Sequence, residues 1–466
     1  MKNQNYANYE NVVGNRTETK HEINYAEFVF VQNGKESVEK VMLFEHMKNE
    51  HHIKRISESE LMFYNGKNYV KISPNDCKWF IKIHIPIYLR KPTVINEIYT
   101  QLITEELIPL SLFNSDENII NFNNGILHLD TGNMTPHSPT VYSSVLIPCD
   151  YNAGLTLDDC PKFKKFIFEL TDGNEELVKF LMTYIGVIIS NVYGYRYKKL
   201  LILLGKGNTG KSVLRSLVMK IIGKENCHSI DIKQLNSRFG AAQIINKRMA
   251  GAGDMSVTRL DDIEIIKQLT GGDDVNADRK GIDAISFQYK GLLWFNTNKL
   301  PVFSGDKGKH VYERFIIVPC NNIIADEERN PNLVEELYEE RDAIISVAVE
   351  ALKQSIQNGY KFTECEIINS EREKYELANN SLKLFVDEYC ILHEGTTIRS
   401  AFNTFYTEWC NDNGFIPERK SNIGYYLEEH YNIVARKTGG GNMHYDLRIN
   451  FAKLGQKGQT LSGLRF

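Results

Sequence analysis

The most informative absence in the sequence is that of paired cysteines. The chain of 466 residues has eight cysteines, and no two of them form a CxxC pair. Zinc ribbons need such pairs, and small disulfide-bonded domains need cysteines arranged as a framework. The scattered cysteines therefore argue against both classes and indicate reduced thiols in a cytoplasmic protein.

Long hydrophobic runs are also missing. A membrane-spanning helix needs about 20 apolar residues, whereas the longest apolar stretch, residues 180–192, is short and interrupted. Residues 1–16 contain no apolar segment of the kind that marks a secretory signal. We therefore expect no membrane contact.

An excess of either charge is lacking too. The chain has 55 Lys and Arg against 59 Asp and Glu, which gives a formal net charge of −4. Overall charge therefore does not attract the protein to nucleic acid. Any contact with DNA has to come from local basic patches or from the lumen of a ring.

The order of sequence patterns indicates an α/β fold. After residue 200, apolar runs of strand length alternate with helical segments, which favours a parallel sheet. Helical spacing of apolar residues predicts helices within residues 161–192. The pair Asn65-Gly66 between apolar runs predicts a β-hairpin.

The strongest motif is the segment Gly205–Ser212, here named the glycine loop, which fits GxxxxGK[ST]. An apolar strand leads into it, and a helical segment follows it. In such loops glycines let backbone N–H groups point at one phosphate, the lysine reaches the β and γ phosphates, and the hydroxyl binds Mg²⁺. The motif predicts ATP and Mg²⁺ as cofactors. The expected binding residues are Gly205, Gly207, Asn208, Thr209, Gly210, Lys211, Ser212 and Val213.

A nucleotide hydrolase also needs a carboxylate at the end of a neighbouring strand. Asp254, at the end of the segment KRMAGAGD, is the best candidate, although a turn aspartate would look the same. Asp261, Asp262 and Glu264 are alternatives, but their position is typical of acids in the first turn of a helix. We expect Ser212 and Asp254 to hold Mg²⁺.

Further candidates follow in the chain. Asn298 ends the apolar segment GLLWFNTN, where it could orient the attacking water or occupy a turn. Arg279 and Lys280 stand near the tip of a predicted hairpin, which could grip a DNA backbone or be a solvated turn. Arg314 precedes an apolar strand and could stabilise charge on the γ phosphate of a neighbouring subunit. Taken alone, an arginine at that position is more typical of a structural role.

The order of these motifs within residues 205–314 resembles that of the superfamily 3 DNA helicases. The poxvirus and satellite-phage primase-helicases are the most similar group, and staphylococcal pathogenicity-island replication initiators are the nearest subgroup. The resemblance covers roughly residues 45–320. It implies an AAA+-like core that hydrolyses ATP between the subunits of a homo-hexamer. It also implies 3′-to-5′ translocation on single-stranded DNA.

The resemblance assigns roles to four residues. Lys211 and Ser212 match the nucleotide-binding pair, Asn298 matches the sensor asparagine, and Arg314 matches the second arginine of a common Arg-Arg pair. With Asp254 as the acid, the expected catalytic residues are Lys211, Asp254, Asn298 and Arg314.

Several positions depart from the family pattern. Asp254 stands where the family usually has Glu, and Glu313 replaces the first arginine of the pair. Asp278 stands where an arginine usually precedes the hairpin, and Thr209 where many relatives have Asn. Many relatives also carry an amino-terminal primase, but residues 1–45 contain no zinc-ligand cysteines and leave little room for one. We expect no primase activity.

The carboxyl-terminal part resembles a winged helix, because two helical segments precede a hairpin that turns at residues 439–441. Residues 398–466 contain nine Lys and Arg against six Asp and Glu, which gives +3. A lid or a protein-binding module is the alternative to DNA binding. The residues expected to contact bases and phosphates are Arg419, Lys420, Asn422, Arg436 and Lys437.

These observations divide the chain into five predicted parts. They are a mobile or accessory segment at 1–40, a mixed α+β domain at 41–160, a P-loop helicase core with preceding helices at 161–330, a helical linker at 331–384, and a winged-helix-like domain at 385–466.

Three functions remain open from the sequence. The leading hypothesis is an ATP-dependent helicase and replication initiator that binds single-stranded DNA and origin duplex DNA, with host replication proteins as further partners. A P-loop ATPase that remodels or loads other replication proteins shares every nucleotide residue. A non-catalytic origin-binding scaffold is the third, and the intact glycine loop argues against it.

Overall fold

A computed structural model describes residues 25–255, 259–260, 263–279, 282–303, 308–413, 415, 417–437 and 440–451. Its first part packs short helices against small antiparallel sheets. The elements are α1 (Lys40–Asn49), α2 (Pro74–Ile83), α3 (Pro92–Thr104), β1 (Val29–Gln32), β2 (Lys35–Val38), β3 (Lys54–Arg55), β4 (Leu61–Tyr64) and β5 (Tyr69–Ile72). The predicted hairpin is β4–β5, and its turn contains Gly66 at φ 99°. Phe28 and Val38, which precede the predicted boundary at residue 40, are buried in this core.

A second small sheet leads into the helices predicted within residues 161–192. Its strands are β6 (Ile119–Phe122), β7 (Gly125–His128) and β8 (Met134–Thr135), and the helices are α4 (Pro161–Leu170) and α5 (Glu175–Ile189). Asn174 caps α5 by accepting a hydrogen bond from the N–H of Leu177 at 2.8 Å. From Leu177 onward α5 is buried on almost every side except at Lys179, which places it inside the molecule.

The centre of the molecule is a five-stranded parallel sheet, as the alternating pattern predicts. In spatial order its strands are β10 (Cys227–Ser229), β11 (Met249–Gly251), β15 (Leu292–Thr297), β9 (Leu200–Leu204) and β17 (Phe315–Pro319). Each neighbouring pair is parallel, so the carboxyl ends of the strands meet at one edge. That edge is where α/β proteins bind ligands.

Helices cover both faces of this sheet because alternate residues of β9 point to opposite sides. Leu201 and Leu203 share one core with α5 and with α6 (Lys211–Ile222), α10 (Leu333–Tyr338) and α11 (Arg341–Gln357). Leu200 and Ile202 share the other core with α7 (Ile232–Leu235), α8 (Glu264–Gly271), α9 (Lys309–Tyr312) and α12 (Glu366–Asn379). The remaining strand pairs near the sheet are β12 (Arg259–Leu260) with β16 (Val302–Phe303), and β13 (Val275–Arg279) with β14 (Ile282–Phe287).

The carboxyl-terminal part has a core of its own. Its elements are α13 (Ser381–Tyr389), β18 (Cys390–Ile398), α14 (Arg399–Asp412), α15 (Lys420–Tyr431), β19 (Arg436–Lys437) and β20 (Met443–Ile449). The strands form one antiparallel sheet in the order β18-β20-β19. Phe385, Trp409 and Leu427 bring the three helices into one hydrophobic cluster.

All eight cysteines lie in the described part of the chain and are unpaired thiols. Burial raises the pKa of Cys77 and Cys149 to about 12, so these thiols stay protonated and unreactive at neutral pH. Among the described residues, no helix combines the length and the apolar character that a membrane crossing requires.

A buried arginine fastens the sheet to α5. Arg248, which directly precedes β11, donates to the carbonyl oxygens of Val187 (2.9 Å), Val192 (2.8 Å) and Lys290 (2.9 Å). Burial lowers the pKa of Arg248 to about 10. Neutral acceptors at the carboxyl end of a helix suit this cation, because their dipoles point at it.

We expect the substitution Arg248→Met to destabilise the protein by about 3 kcal/mol or more, because it leaves several buried carbonyls without a donor. The midpoint of thermal unfolding should fall by about 6–12 °C. Arg238→Met is the matched control, because Arg238 pairs with Asp278 at the surface and such pairs contribute about 1 kcal/mol at most. Equal midpoints for the two variants would contradict the role given to Arg248.

Candidate nucleotide-binding site

The glycine loop joins β9 to α6 at the carboxyl edge of the parallel sheet. A Cβ at Gly205 would lie 2.1 Å from the carbonyl oxygen of Cys320. Gly210 has φ 83°, and a Cβ there would lie 3.0 Å from the Phe166 ring. Both positions therefore exclude any larger residue, and the loop is held between α4 and the end of β17.

Lys211 is the first residue of α6, and its side chain turns back into the loop. The ammonium donates to the carbonyl oxygens of Gly205 (2.7 Å) and Lys206 (2.6 Å) and to the hydroxyl of Thr209 (3.0 Å). Lys211 is only 7% exposed, and burial lowers its pKa, while Asp254 acts in the opposite direction. A cation held only by neutral oxygens gains stability from contact with an anion.

A cleft of about 1050 Å³ lies beside the loop. Its walls come from α4, from the loop itself, and from the segments at the ends of β11, β15 and β17. Its volume is large enough for a nucleoside triphosphate. The lining residues include Lys162, Lys165, Phe166, Glu169, the range 207–213, Gly253, Asp254, Asn296, Thr297, Asn298, Asn322, Ile323 and Ile324.

The structure collects most of the predicted nucleotide residues in this cleft. The predicted residues that line it are Gly207, Asn208, Thr209, Gly210, Lys211, Ser212, Val213, Asp254 and Asn298. Gly205 lies at the base of the loop, where its N–H donates to the carbonyl oxygen of Thr297 at 3.1 Å. The set offers an ammonium, a hydroxyl, a carboxylate and an amide within one cleft.

The strand order differs from the sequence-based expectation in one respect. Asp254 was expected after a strand next to the loop strand, but β15 lies between β9 and β11. Asn298, which follows β15, therefore lies on the nearer strand, and Asp254 reaches the cleft from the next one. Of the alternative acids, Asp261 and Asp262 lie outside the described residues. Glu264 begins α8 and pairs with Lys267 at 3.1 Å.

Arg314 lies at the opposite edge of the sheet. It precedes β17, and its carbonyl oxygen accepts the N–H of Leu200 at the start of β9. Its guanidinium Nη1 donates to the carbonyl of Lys267 (3.2 Å) and to the Thr270 hydroxyl (2.7 Å). Because five residues of strand span about 16 Å, Arg314 cannot contact a nucleotide in the cleft of its own chain.

Two residues that sequence reasoning missed shape the cleft. Asn296 is 1% exposed and lines the cleft. Its Oδ1 accepts a hydrogen bond from the indole N–H of Trp294 at 3.0 Å. Its Nδ2 has no hydrogen-bond partner among the described residues. Arg215 donates from α6 to the carbonyl oxygen of Gly251 at 2.7 Å. This bond fixes the end of β11, from which Asp254 follows. The only sequence signal for Asn296 was a polar residue inside an apolar strand. For Arg215 it was a polar residue inside an amphipathic helix.

Asn296 in β15 and Asn298 just after it should respond differently to substitution. Asn298 is exposed in the cleft, so Asn298→Ala should lower ATP hydrolysis about 10-fold or more and leave thermal stability unchanged. Asn296→Leu leaves the buried Trp294 N–H unpaired, so it should destabilise the fold by about 1–3 kcal/mol. Hydrolysis rates and thermal unfolding of the two purified variants test this contrast. The same response in both variants would refute it.

The predicted DNA-binding hairpin is present as β13–β14. Arg279 is the last residue of β13, whereas Lys280 at the tip lies outside the described residues. Asp278, the residue before Arg279, pairs with Arg238 at 2.7 Å. The DNA-binding role of both basic residues stays a prediction.

The basic residues predicted in the carboxyl-terminal part lie on two neighbouring elements. Arg419 directly precedes α15 and Lys420 begins it, and both are exposed; Asn422 is half-buried on the same helix. Arg436 and Lys437 form the exposed strand β19. Their contact with DNA also stays a prediction.

Comparison with known proteins finds similarity over separate segments. Residues 203–314 match a family described as "Family of unknown function (DUF5906)", and residues 78–172 match "D5 N terminal like". A curated protein of Marchantia polymorpha, "Uncharacterized mitochondrial protein ymf21", is 29% identical over 135 residues, which cover 26% of this chain and 72% of that protein.

Comparison of structures finds matches to solved structures of the NrS-1 C terminal region. An apo structure of that region has a TM-score of 0.48 at 13% identity and covers 87% of this chain and 98% of that one. An A form apo structure has a TM-score of 0.47 at 13% identity, with 86% and 98% covered. By sequence, the chain is thus similar to a D5 N terminal like domain before the central sheet and to a family of unknown function across the segment that builds the cleft.

Proposed function

We propose that this chain is an ATP-hydrolysing DNA helicase that acts in replication. The observation that carries the proposal is the convergence of Lys211, Ser212, Asp254 and Asn298 on one cleft at the carboxyl edge of a parallel sheet. The match to a D5 N terminal like domain supports a replication-associated function of primase or helicase type. The motif order supports the helicase reading.

The chemistry of the cleft suits phosphoryl transfer to water. The glycine loop and Lys211 would bind the terminal phosphates, and the positive end of α6 would add to their attraction. The Ser212 hydroxyl and the Asp254 carboxylate are hard oxygen ligands that fit Mg²⁺, which would neutralise phosphate charge. Asn298 would orient the attacking water from the adjacent strand.

The position of Arg314 supports an assembly of several copies. If an arginine at the far edge of the sheet acts on a nucleotide, that nucleotide has to belong to a neighbouring chain, which is the arrangement expected of a ring. We infer a homo-hexamer that moves 3′ to 5′ along single-stranded DNA and contacts the strand through Arg279 and Lys280.

The carboxyl-terminal part is proposed to bind the duplex DNA of an origin. Its order α13-β18-α14-α15-β19-β20 fits a winged helix, in which α15 would enter the major groove. Arg419 and Lys420 are exposed at the start of α15, and Tyr425 on that helix is 70% exposed. Arg436 and Lys437 on β19 would contact phosphates beside it.

Strand displacement from tailed duplex DNA tests the helicase proposal. The wild type should hydrolyse ATP faster when single-stranded DNA is present. It should displace a strand from a duplex with a single-stranded 3′ tail but not from a duplex with a 5′ tail. Absence of ATP hydrolysis with or without DNA would overturn the motor proposal. ATP hydrolysis without strand displacement on either duplex would favour a remodelling or loading ATPase instead.

A further inference from the structure

Three histidines from separate parts of the chain meet in the amino-terminal domain. His46 lies in the last turn of α1, His51 follows that helix, and His84 directly follows α2. One ring nitrogen of each lies within 4.8 Å of those of the other two. The ring centroids are 5.0–5.5 Å apart. The cluster is remote in the chain from the glycine loop.

The surroundings of the cluster favour a cation. His46 lies in the last turn of α1 and His84 directly follows α2, and helix carboxyl ends carry partial negative charge. His46 and His51 are partly exposed, so an ion can enter, whereas His84 is 5% exposed and forms the base.

The His84 imidazole is held in the tautomer that can bind a metal through Nε2. The Nδ1 of His84 lies 2.9 Å from the Phe80 carbonyl, which can only accept, so Nδ1 carries the proton and Nε2 keeps its lone pair. A neutral imidazole with a free lone pair is the form in which histidine binds a metal ion.

We propose that His46, His51 and His84 bind a Zn²⁺ ion that fastens the end of α1 to the end of α2. Three nitrogens within 4.8 Å of one another lie no more than about 2.8 Å from a common centre, so each has to move in by no more than about 0.7 Å to reach a Zn–N distance of about 2.1 Å. Imidazole ligands suit zinc, and three protein ligands leave a fourth position for water or for the Glu50 carboxylate.

The competing interpretation is aromatic packing without an ion. Phe28 lies 4.9 Å from the His46 ring, and Phe80 lies 4.7 Å from the His51 ring, as in an ordinary aromatic cluster. The substitution His46→Phe distinguishes zinc binding from aromatic packing, because it keeps an aromatic ring at this position and removes a metal ligand. His52→Asn is the matched control: His52 packs on Tyr64 and has φ 47°, which asparagine tolerates.

The test uses the full chain without a histidine tag, treated with a chelator and dialysed into excess Mg²⁺ and ADP so that the nucleotide cleft is occupied. We expect one Zn²⁺ per chain by titration calorimetry and a rise of about 5 °C in the unfolding midpoint. His46→Phe and His51→Gln should lose both effects, and His52→Asn should keep them.

Cobalt gives a readout that does not depend on folding of the variants. The wild type loaded with Co²⁺ should show the visible absorption of a four-coordinate site, and one equivalent of Zn²⁺ should abolish it. Absence of zinc binding by the wild type would overturn the proposal. Equal zinc binding by the wild type and His46→Phe would overturn it too, since the ion would then lie elsewhere.

Discussion

Replacing Lys211 with alanine is expected to lower the rate of ATP hydrolysis by about 1,000-fold, because it removes a buried cation at the phosphate side of the cleft. The variant should still fold. Two of the three acceptors of Lys211 are backbone carbonyls of the exposed loop, which water can satisfy after the substitution. A coupled ATPase assay, with and without single-stranded DNA, measures the rate.

The size of the effect follows from where Lys211 lies. Its ammonium is nearly enclosed and is held by neutral oxygens only. A triphosphate that enters the cleft offers the full negative charge that this cation lacks, and a low local dielectric strengthens the attraction. Charge on the terminal phosphate changes most in the transition state, so the loss of the cation should affect the rate more than the affinity.

Lys224→Ala is the matched control for this substitution. Lys224 is exposed, lies just past the other end of α6 and is about 18 Å from the loop, since twelve helical residues separate the two. Its loss should leave hydrolysis unchanged. Hydrolysis at the wild-type rate by Lys211→Ala, in a preparation with an unchanged unfolding midpoint, would show that the glycine loop does not bind the reacting phosphate.

The glycine loop could be predicted from the sequence because its atoms come from consecutive residues. A strand, a glycine-rich turn and a helix are each determined by local preferences, and Gly205 and Gly210 meet steric demands that glycine alone satisfies. The parallel sheet could be predicted for the same reason, since its strands are short apolar runs between helical segments. The motif order then led to Asp254 and Asn298, which the structure places in the same cleft.

The remaining features depend on long-range contacts that no local pattern reveals. The position of β15 between β9 and β11 results from how the connections cross the sheet, so it could not be read from the chain order. In the sequence Arg248 cannot be distinguished from a surface arginine, because its burial depends on the packing of α5 against the sheet. The His46, His51 and His84 cluster needs two helix ends to meet, and in sequence its members are scattered histidines.

Replacing Arg314 with alanine is expected to lower ATP hydrolysis by about 1,000-fold or more while nucleotide binding remains, as for arginines that act across a subunit boundary. Arg314 lies at the amino edge of the sheet and cannot reach its own cleft. The neighbouring cation Lys309 on α9 offers a matched control, because it is exposed and lies on the same edge. Lys309→Ala should hydrolyse ATP at the wild-type rate.

Mixing two inactive variants shows whether Arg314 acts between chains. An Arg314→Ala chain keeps an intact Lys211, and a Lys211→Ala chain keeps an intact Arg314. The boundary between two such chains contains one complete site when the intact Lys211 of one chain faces the intact Arg314 of the other. In rings assembled at random from equal amounts, about a quarter of the boundaries are complete, so the mixture should recover up to about a quarter of wild-type hydrolysis if sites act independently. If Arg314 only stabilises α8 through Lys267 and Thr270, the mixture stays inactive, and Arg314→Ala alone loses thermal stability. Recovery of activity requires that one chain supply the arginine and the other the lysine.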